Sequence, residues 1–164
     1  MNYWLMKSEP EECSVDDALA AKKSTVPWVG VRNYQARNFM RDGMSVGDGV
    51  LFYHSSCDQP GIVGIAQVAS VAYPDPTQFD PTSPYYDPKS KPEEPRWLLV
   101  DVHVLKKISN ITLPALRERP ELVDMLLFLT ASGCLCSDTY AAIPERPQWP
   151  IFLHPRAWRY PFAF

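Results

Sequence analysis

The sequence predicts a single α+β domain in which short helices flank a mostly β-stranded middle. The chain has 164 residues, a length that encloses one core more readily than two. Hydrophobic residues make up 46% and charged residues 21% of it, which is typical of folded globular proteins. Most β-branched and aromatic runs fall between positions 50 and 106, and helix-start signals lie on both sides of them.

The first third of the chain predicts one strand and two helices. Residues 3–6 are aromatic and apolar enough for a short opening strand. Ser14, followed three residues later by Asp17, is typical of a helix start. Asn33 is a second candidate cap, for a helix that runs to Arg41.

The middle of the chain predicts three strands and one long loop. Residues 50–54 and 62–68 are apolar on both faces, which indicates buried strands, and Gly64 permits a bend or a close backbone approach. Seven prolines make residues 74–95 a long loop. Residues 97–106 alternate between apolar and polar positions, as a half-exposed strand does.

The charge pattern limits the possible partners. A net charge of −3 argues against a protein that coats duplex DNA, because that mode needs many phosphate contacts. Positions 22–41 nevertheless hold five Lys or Arg and no acidic residue, so nucleic-acid contacts should be local. No apolar run approaches the length of a membrane helix. We therefore expect a cytoplasmic protein, or a nuclear one if the source is a eukaryote, that has no membrane partner and acts as a monomer.

Neither a metal nor another cofactor is expected. The four cysteines lack the spacing of a disulfide framework or of paired zinc ligands, so we predict free thiols. Phosphate-cradling and dinucleotide-binding glycine motifs do not occur in the sequence.

The strongest local pattern is the glycine-hinged run of residues 28–34. Trp28 and Tyr34 offer aromatic faces on which a base could stack. Asn33 offers a donor and an acceptor to a base edge, and Arg32 or the helix start could receive a phosphate. The alternative is that the aromatic residues belong to the core and Arg32 is solvated.

Two further segments bear hydrogen-bonding groups that could border a site. Lys7 and Ser8 follow the first strand, although they could equally form an ordinary strand-to-helix connection. Tyr53, His54 and Ser55 end a buried strand, where they could serve as pocket residues. Nucleophilic catalysis by His54 with Ser55 or with the following cysteine is the alternative, but no catalytic signature surrounds them.

Several long motifs, taken in order, resemble the EVE domain family. The resemblance covers residues 2–127 and rests on these segments: Tyr3-Trp4-Leu5-Met6-Lys7-Ser8-Glu9-Pro10, Trp28-Val29-Gly30-Val31-Arg32-Asn33-Tyr34-Gln35-Ala36-Arg37-Asn38, Val46-Gly47-Asp48, Phe52-Tyr53-His54-Ser55, Pro60-Gly61-Ile62-Val63-Gly64, the stretch from Gln78-Phe79-Asp80 through Ser83-Pro84-Tyr85-Tyr86-Asp87, and Pro95-Arg96-Trp97. It implies a PUA-like fold, a curved β-barrel flanked by short helices, related to the YTH readers of methylated adenine.

The resemblance also implies a function. Such domains are expected to accept a modified base of DNA or RNA, single-stranded or flipped, in an aromatic pocket without catalysis. Residues that match the motifs would line or border that pocket: Lys7, Ser8, Trp28, Arg32, Asn33, Tyr34, Tyr53, His54 and Ser55. Tyr86, on the long loop, would close it. A hydrolase-type enzyme and a protein-interaction domain that uses the proline-rich loop remain the alternatives.

The C-terminal segment departs from the family pattern. We predict an EVE-like domain over residues 1–127 and an atypical segment over residues 128–164. Where the family pattern continues into a strand of the type Arg-Leu-Ser-Val-Gln-Pro, residues 132–137 are Ser-Gly-Cys-Leu-Cys-Ser.

Overall fold

The fold is built on one curled sheet that forms a half-barrel. The computed structural model describes residues 1–119 and 141–142. Its strands are β1 (Tyr3–Ser8), β2 (Thr25–Pro27), β3 (Gly49–His54), β4 (Gly61–Val68), β5 (Tyr73–Pro74), β6 (Leu98–Leu99), β7 (Asp101–Thr112) and β8 (Ala141–Ala142). The main sheet has the order β2-β7-β4-β3-β1-β8, and β5 pairs with β6 in a second, small sheet. The predicted α+β class is confirmed.

Among the described residues, four short α-helices border the sheet: α1 (Pro10–Cys13), α2 (Val15–Ala20), α3 (Tyr34–Asn38) and α4 (Leu113–Arg117). The predicted cap of α2 is confirmed, since Ser14 and Asp17 form a reciprocal capping box. Asn33 caps α3, as predicted, by accepting hydrogen bonds from two backbone amides of its first turn. The α-helical geometry of α3 ends earlier than predicted, because a π-helical turn takes over at residue 39.

β4 lies at the centre of the half-barrel. It pairs antiparallel with β3 and β7, and its register shifts at bulges on both sides. Bulges increase the local twist of a sheet, which is how a flat sheet begins to curl. β1 runs parallel to β3, so the carboxyl ends of these two strands, at Ser8 and His54, meet at the same edge.

Gly64 of β4 has the predicted close backbone approach. A Cβ at this position would lie 2.8 Å from the Cγ2 atom of Val15, closer than real Cβ atoms come to their neighbours. Val15 is buried against the sheet. The absence of a side chain on Gly64 therefore lets α2 settle on β4.

The proline-rich loop between β5 and β6 is held from within by one buried glutamine. The Gln78 amide donates to the carbonyl oxygens of Asp75 and Trp97 at 2.7 and 2.8 Å. Its Oε1 atom accepts from the backbone amides of Arg96 and Trp97 and from the Ser90 hydroxyl. A loop with this many internal hydrogen bonds holds a defined shape beside the sheet.

Two predictions concern residues that the structure does not describe. The atypical segment, residues 128–164, lies outside the described residues except for β8, and Cys134 and Cys136 lie outside them as well. Of the remaining cysteines, Cys13 and Cys57 are free, as predicted. Within residues 1–119 and 141–142, no helix is long and apolar enough to cross a membrane.

Candidate functional site

The candidate site is a pocket of about 320 Å³, which we call the Trp28 pocket. It lies between the end of β1, α1, the segment that leads out of β2, and the proline-rich loop. Its lining residues are Lys7, Ser8, Glu12, Cys13, Val26, Pro27, Trp28, Val29, Gly30, Val31 and Tyr85. An apolar wall with a few polar groups is typical of a pocket for a small, flat ligand.

Of the residues predicted to line or border a pocket, Lys7, Ser8 and Trp28 do line this one. The Trp28 indole is 7% exposed and packs edge-to-face against Phe52 at a centroid distance of 5.1 Å. Trp28 is therefore both a core residue and a pocket residue: most of the ring is buried in the core, and its edge forms part of the pocket wall.

Gly30 and Tyr85 are in contact where the loop meets the Trp28 segment. The backbone of Gly30 has a φ of +84°, and a Cβ there would lie 2.7 Å from the Tyr85 ring. Glycine is therefore required twice, for its left-handed conformation and for the space that the ring occupies. In this way the phenol becomes part of the pocket wall.

The Tyr85 hydroxyl donates a hydrogen bond to Oε1 of Glu12 on α1. Burial, followed by this bond to a carboxylate, raises the pKa of the Tyr85 phenol, so the hydroxyl keeps its proton. The bond joins the loop to α1 across the pocket.

Ser8 and Cys13 line the Trp28 pocket and are in contact with each other. The Ser8 hydroxyl donates to the Cys13 carbonyl at 2.7 Å, which satisfies a backbone acceptor of α1. Burial, and then the charges of Asp17 and Glu12, raise the pKa of the Cys13 thiol. A protonated, half-buried thiol is a poor nucleophile.

Arg32 does not line the Trp28 pocket but anchors the loop behind it. Its guanidinium pairs with the fully buried Asp75 at 2.8 Å, donates to the Thr77 hydroxyl at 2.9 Å and donates to the Tyr85 carbonyl. The same cation lies 5.5 Å from the centroid of the Tyr85 ring. The predicted phosphate ligand thus has its donors engaged in structural contacts.

The Asp75 carboxylate accepts hydrogen bonds from three residues. Besides Arg32, its carboxylate accepts from the Gly30 amide at 3.0 Å and from the amide and hydroxyl of Thr77. Burial by itself would raise the pKa of Asp75, but the hydrogen bonds from Thr77, Arg32 and Gly30 outweigh it and lower the pKa. This carboxylate holds the Trp28 segment and the loop together.

Asn33 and Tyr34 lie next to the pocket rather than in its wall. The Asn33 side-chain oxygen is used as the α3 cap at 2.8 and 3.1 Å. The Tyr34 ring, half exposed, packs on Trp97 at a centroid distance of 4.8 Å, and the guanidinium of Arg37 lies 5.2 Å from it. Both residues stabilise the segment that follows Trp28.

Tyr53, His54 and Ser55 are likewise supporting residues. Tyr53 is buried in β3, and its burial raises the pKa of the phenol to about 12. The His54 Nε2 atom accepts a hydrogen bond from the Val15 amide at 3.0 Å. The Ser55 amide donates to the Ser8 carbonyl at 2.9 Å, so this serine ties the ends of β1 and β3 together.

The His54 contact predicts a pH dependence of stability. Burial, opposed by the charge of Asp16 and reinforced by that of Lys107, lowers the pKa of His54 below 6.5. The stability that the neutral imidazole contributes is fully present above the pKa of His54 in the unfolded chain. It is lost as the pH falls through the pKa of His54 in the folded protein. We expect the urea midpoint to fall between pH 7.5 and pH 5.5 in the wild type and to fall less in His54→Gln. Ser55→Ala, which keeps the imidazole, should retain the full dependence; an equal slope in His54→Gln would contradict this role.

The pocket residues that were not predicted from the sequence include Tyr85 and Glu12. Tyr86, predicted to close the pocket, is 42% exposed and does not line it, whereas its neighbour Tyr85 does. In a loop without regular periodicity, nothing local distinguishes the two tyrosines. Glu12 follows a strand-to-helix connection and has no local signal, since its importance comes from Tyr85, 73 positions away.

The described residues hold no cluster of three or more His, Cys, Asp or Glu that could bind a metal ion. The possible ligands Cys134, Cys136 and His154 lie outside these residues.

The comparisons with known proteins agree with this architecture. The family model described as "EVE domain" matches residues 2–133. Mouse thymocyte nuclear protein 1 is 51% identical over 118 residues, which are 66% of this chain and 52% of that protein. An uncharacterised protein of Schizosaccharomyces pombe is 37% identical over 131 residues, 73% of this chain and 55% of that protein. The chain therefore spans about half the length of the relatives that it matches.

Solved structures extend the likeness to the fold. A hypothetical protein from Leishmania major is 46% identical with a TM-score of 0.79, over 88% of both chains. Human THYN1, solved in complex with DNA containing 5-methylcytosine, is 37% identical with a TM-score of 0.80, over 88% of this chain and 92% of that one. Such neighbours are PUA-like, which confirms the predicted fold. The family model matches most of the chain, and the solved structures have the same fold. The chain therefore belongs to the EVE domain family.

Proposed function

We propose that this chain is a non-enzymatic module that binds a modified cytosine of DNA, single-stranded or flipped out of the duplex, in the Trp28 pocket. The observation that carries the proposal is the pocket itself, where two aromatic side chains, Trp28 and Tyr85, meet hydrogen-bonding groups on Lys7, Ser8 and Glu12. A flat heterocycle with polar edges matches such a wall.

Family membership supports a DNA ligand. The human relative was solved with DNA that contains 5-methylcytosine, and its fold covers most of this chain. A base outside the stack loses a few kcal/mol of stacking energy, and contact with an aromatic wall can return about 1–3 kcal/mol of it. Local binding of one base also agrees with the net charge of −3, because it needs few phosphate contacts.

The contacts of the candidate catalytic groups support binding rather than catalysis. A histidine that acts as a general base needs a free nitrogen lone pair near the nucleophile. Nε2 of His54 instead accepts from the Val15 amide, and the Ser55 hydroxyl donates to the Ser8 carbonyl at 3.4 Å. Neither group is poised for hydrolysis.

Tryptophan fluorescence can test the proposal. We expect a single-stranded oligonucleotide with one 5-methylcytosine to quench the fluorescence of the wild type. Trp28→Phe should lose most of this quenching and weaken binding by about 1 kcal/mol, because a phenyl ring offers a smaller stacking surface.

Trp4→Phe is the matched control. Trp4 is a core residue whose indole nitrogen donates to Asp48 at 3.1 Å, and it does not line the pocket, so quenching and affinity should persist. Equal affinity for methylated and unmodified oligonucleotides, or unchanged quenching in Trp28→Phe, would refute the proposal.

A further inference from the structure

The hydroxyl groups of Ser8 and Tyr85 in the Trp28 pocket already donate their protons to acceptors of the protein. The Ser8 hydroxyl donates to the Cys13 carbonyl at 2.7 Å, and the Tyr85 hydroxyl donates to Glu12. A hydroxyl has one proton and two lone pairs. Toward a ligand, both oxygens are therefore left as hydrogen-bond acceptors.

Glu12 adds a stronger acceptor to the same wall. The Tyr85 bond engages its Oε1 atom, and Oε2 accepts no hydrogen bond from any side chain or amide in residues 1–119 and 141–142. A carboxylate oxygen accepts hydrogen bonds and cannot donate them. The Tyr85 bond also restricts the carboxylate, which lowers the entropy cost when a ligand uses the second oxygen.

We propose that Glu12, oriented by Tyr85, makes the Trp28 pocket select a base with an exocyclic amino group over the matching base with a keto group. This inference rests on the proposed function. Its sharpest case is 5-methylcytosine against thymine, which share the ring and the methyl group. At position 4, 5-methylcytosine has an amino group that donates hydrogen bonds, whereas thymine has a carbonyl group that accepts them.

The chemistry of the wall gives the direction of the selection. A cytosine-type amino group can donate to Glu12, as carboxylates do in base recognition. A thymine-type carbonyl would face the carboxylate with lone pairs on both sides, which is a repulsive contact. Rejection of the keto base is thus as important as acceptance of the amino base.

Two single-stranded oligonucleotides that differ at one position test this inference. Single strands with one 5-methylcytosine or one thymine at the same position would be titrated into the full chain, which removes differences in base pairing. The wild type should prefer 5-methylcytosine by roughly tenfold or more, the ratio expected for one hydrogen bond to a charged group.

Glu12→Gln should abolish or reverse the preference for 5-methylcytosine over thymine. The Tyr85 hydroxyl can still donate to the amide oxygen, so the amide nitrogen takes the place of Oε2 and offers protons where the carboxylate accepted them. Glu11→Gln makes the same charge change at the neighbouring exposed position, which does not line the pocket, and should retain the wild-type ratio.

Tyr85→Phe tests the positioning of Glu12. It keeps the aromatic ring but removes the hydroxyl that orients the carboxylate, so the ratio of the two affinities should fall below that of the wild type. If the wild type binds both oligonucleotides equally and Glu12→Gln changes nothing, the amino selection is refuted although the pocket still binds bases. If neither oligonucleotide binds the wild type, the proposed function itself fails.

Discussion

Gly30→Ala is expected to destabilise the fold by about 2–4 kcal/mol and to abolish binding in the Trp28 pocket. The substitution has two independent costs. Alanine is strained at a φ of +84°, and its Cβ would lie 2.7 Å from the Tyr85 ring. Relief of that clash requires the ring to leave the pocket wall. Urea denaturation would measure the stability, and the titration with 5-methylcytosine would measure the binding.

Gly47→Ala separates the two costs. Gly47 has a similar φ of +91°, but a Cβ there would have no neighbour within 4 Å. It should therefore cost only the strain, about 1 kcal/mol, and leave binding intact. In a double-mutant cycle, Tyr85→Ala should recover part of the stability lost in Gly30→Ala. Equal losses in the two glycine variants would show that the Tyr85 contact is unimportant.

Asp75→Ala is expected to reduce the free energy of unfolding by about 3 kcal/mol. The carboxylate is fully buried, while its partner Arg32 has a side chain that is 20% exposed. Removal of Asp75 takes away the buried carboxylate that balances the Arg32 charge in a poorly solvated place. It also leaves the amides of Gly30 and Thr77 without their acceptor.

Asp42→Ala is the matched control. The pair of Arg41 with Asp42 has a similar length, 2.7 Å, but its side chains are 49% and 61% exposed. Solvent screening leaves such an exposed pair with only a small contribution to stability. The two losses should therefore differ clearly, and similar losses would contradict the anchoring role of Asp75.

The Asp75 contribution should also depend on pH. The carboxyl has a pKa below 3.8 in the folded state, so its stabilisation is fully present above the unfolded pKa and disappears as the pH falls through the folded pKa. Measured below pH 4, the difference between the wild type and Asp75→Ala should shrink.

The elements were predictable from the sequence where their signals are local. Ser14 and Asn33 were identified as caps because a capping side chain reaches backbone amides only two or three residues away. β3 and β4 were predicted because apolar, β-branched runs have few other stable arrangements. The role of Gly64 was predictable as well, since a glycine within an apolar strand usually makes room for a neighbour.

The site was predictable only in part. The family motifs identified Lys7, Ser8 and Trp28, which line the pocket, but also residues that support the pocket from behind. Arg32 and His54 bear groups that suit a ligand as well as they suit the protein. Their partners, Asp75 and Val15, are 43 and 39 positions distant, so sequence spacing could not show that the protein itself uses these groups.

The sequence by itself thus determined the fold class, the helix caps, the central strands and the segment that forms one wall of the pocket. Only the tertiary structure decided that Tyr85 rather than Tyr86 faces that wall and that Glu12 meets it there. The reason is physical: a helix cap and the apolar pattern of a strand are set by residues that lie only a few positions apart. A pocket depends on contacts between elements, and these exist only after the sheet has curled and the proline-rich loop has closed against it.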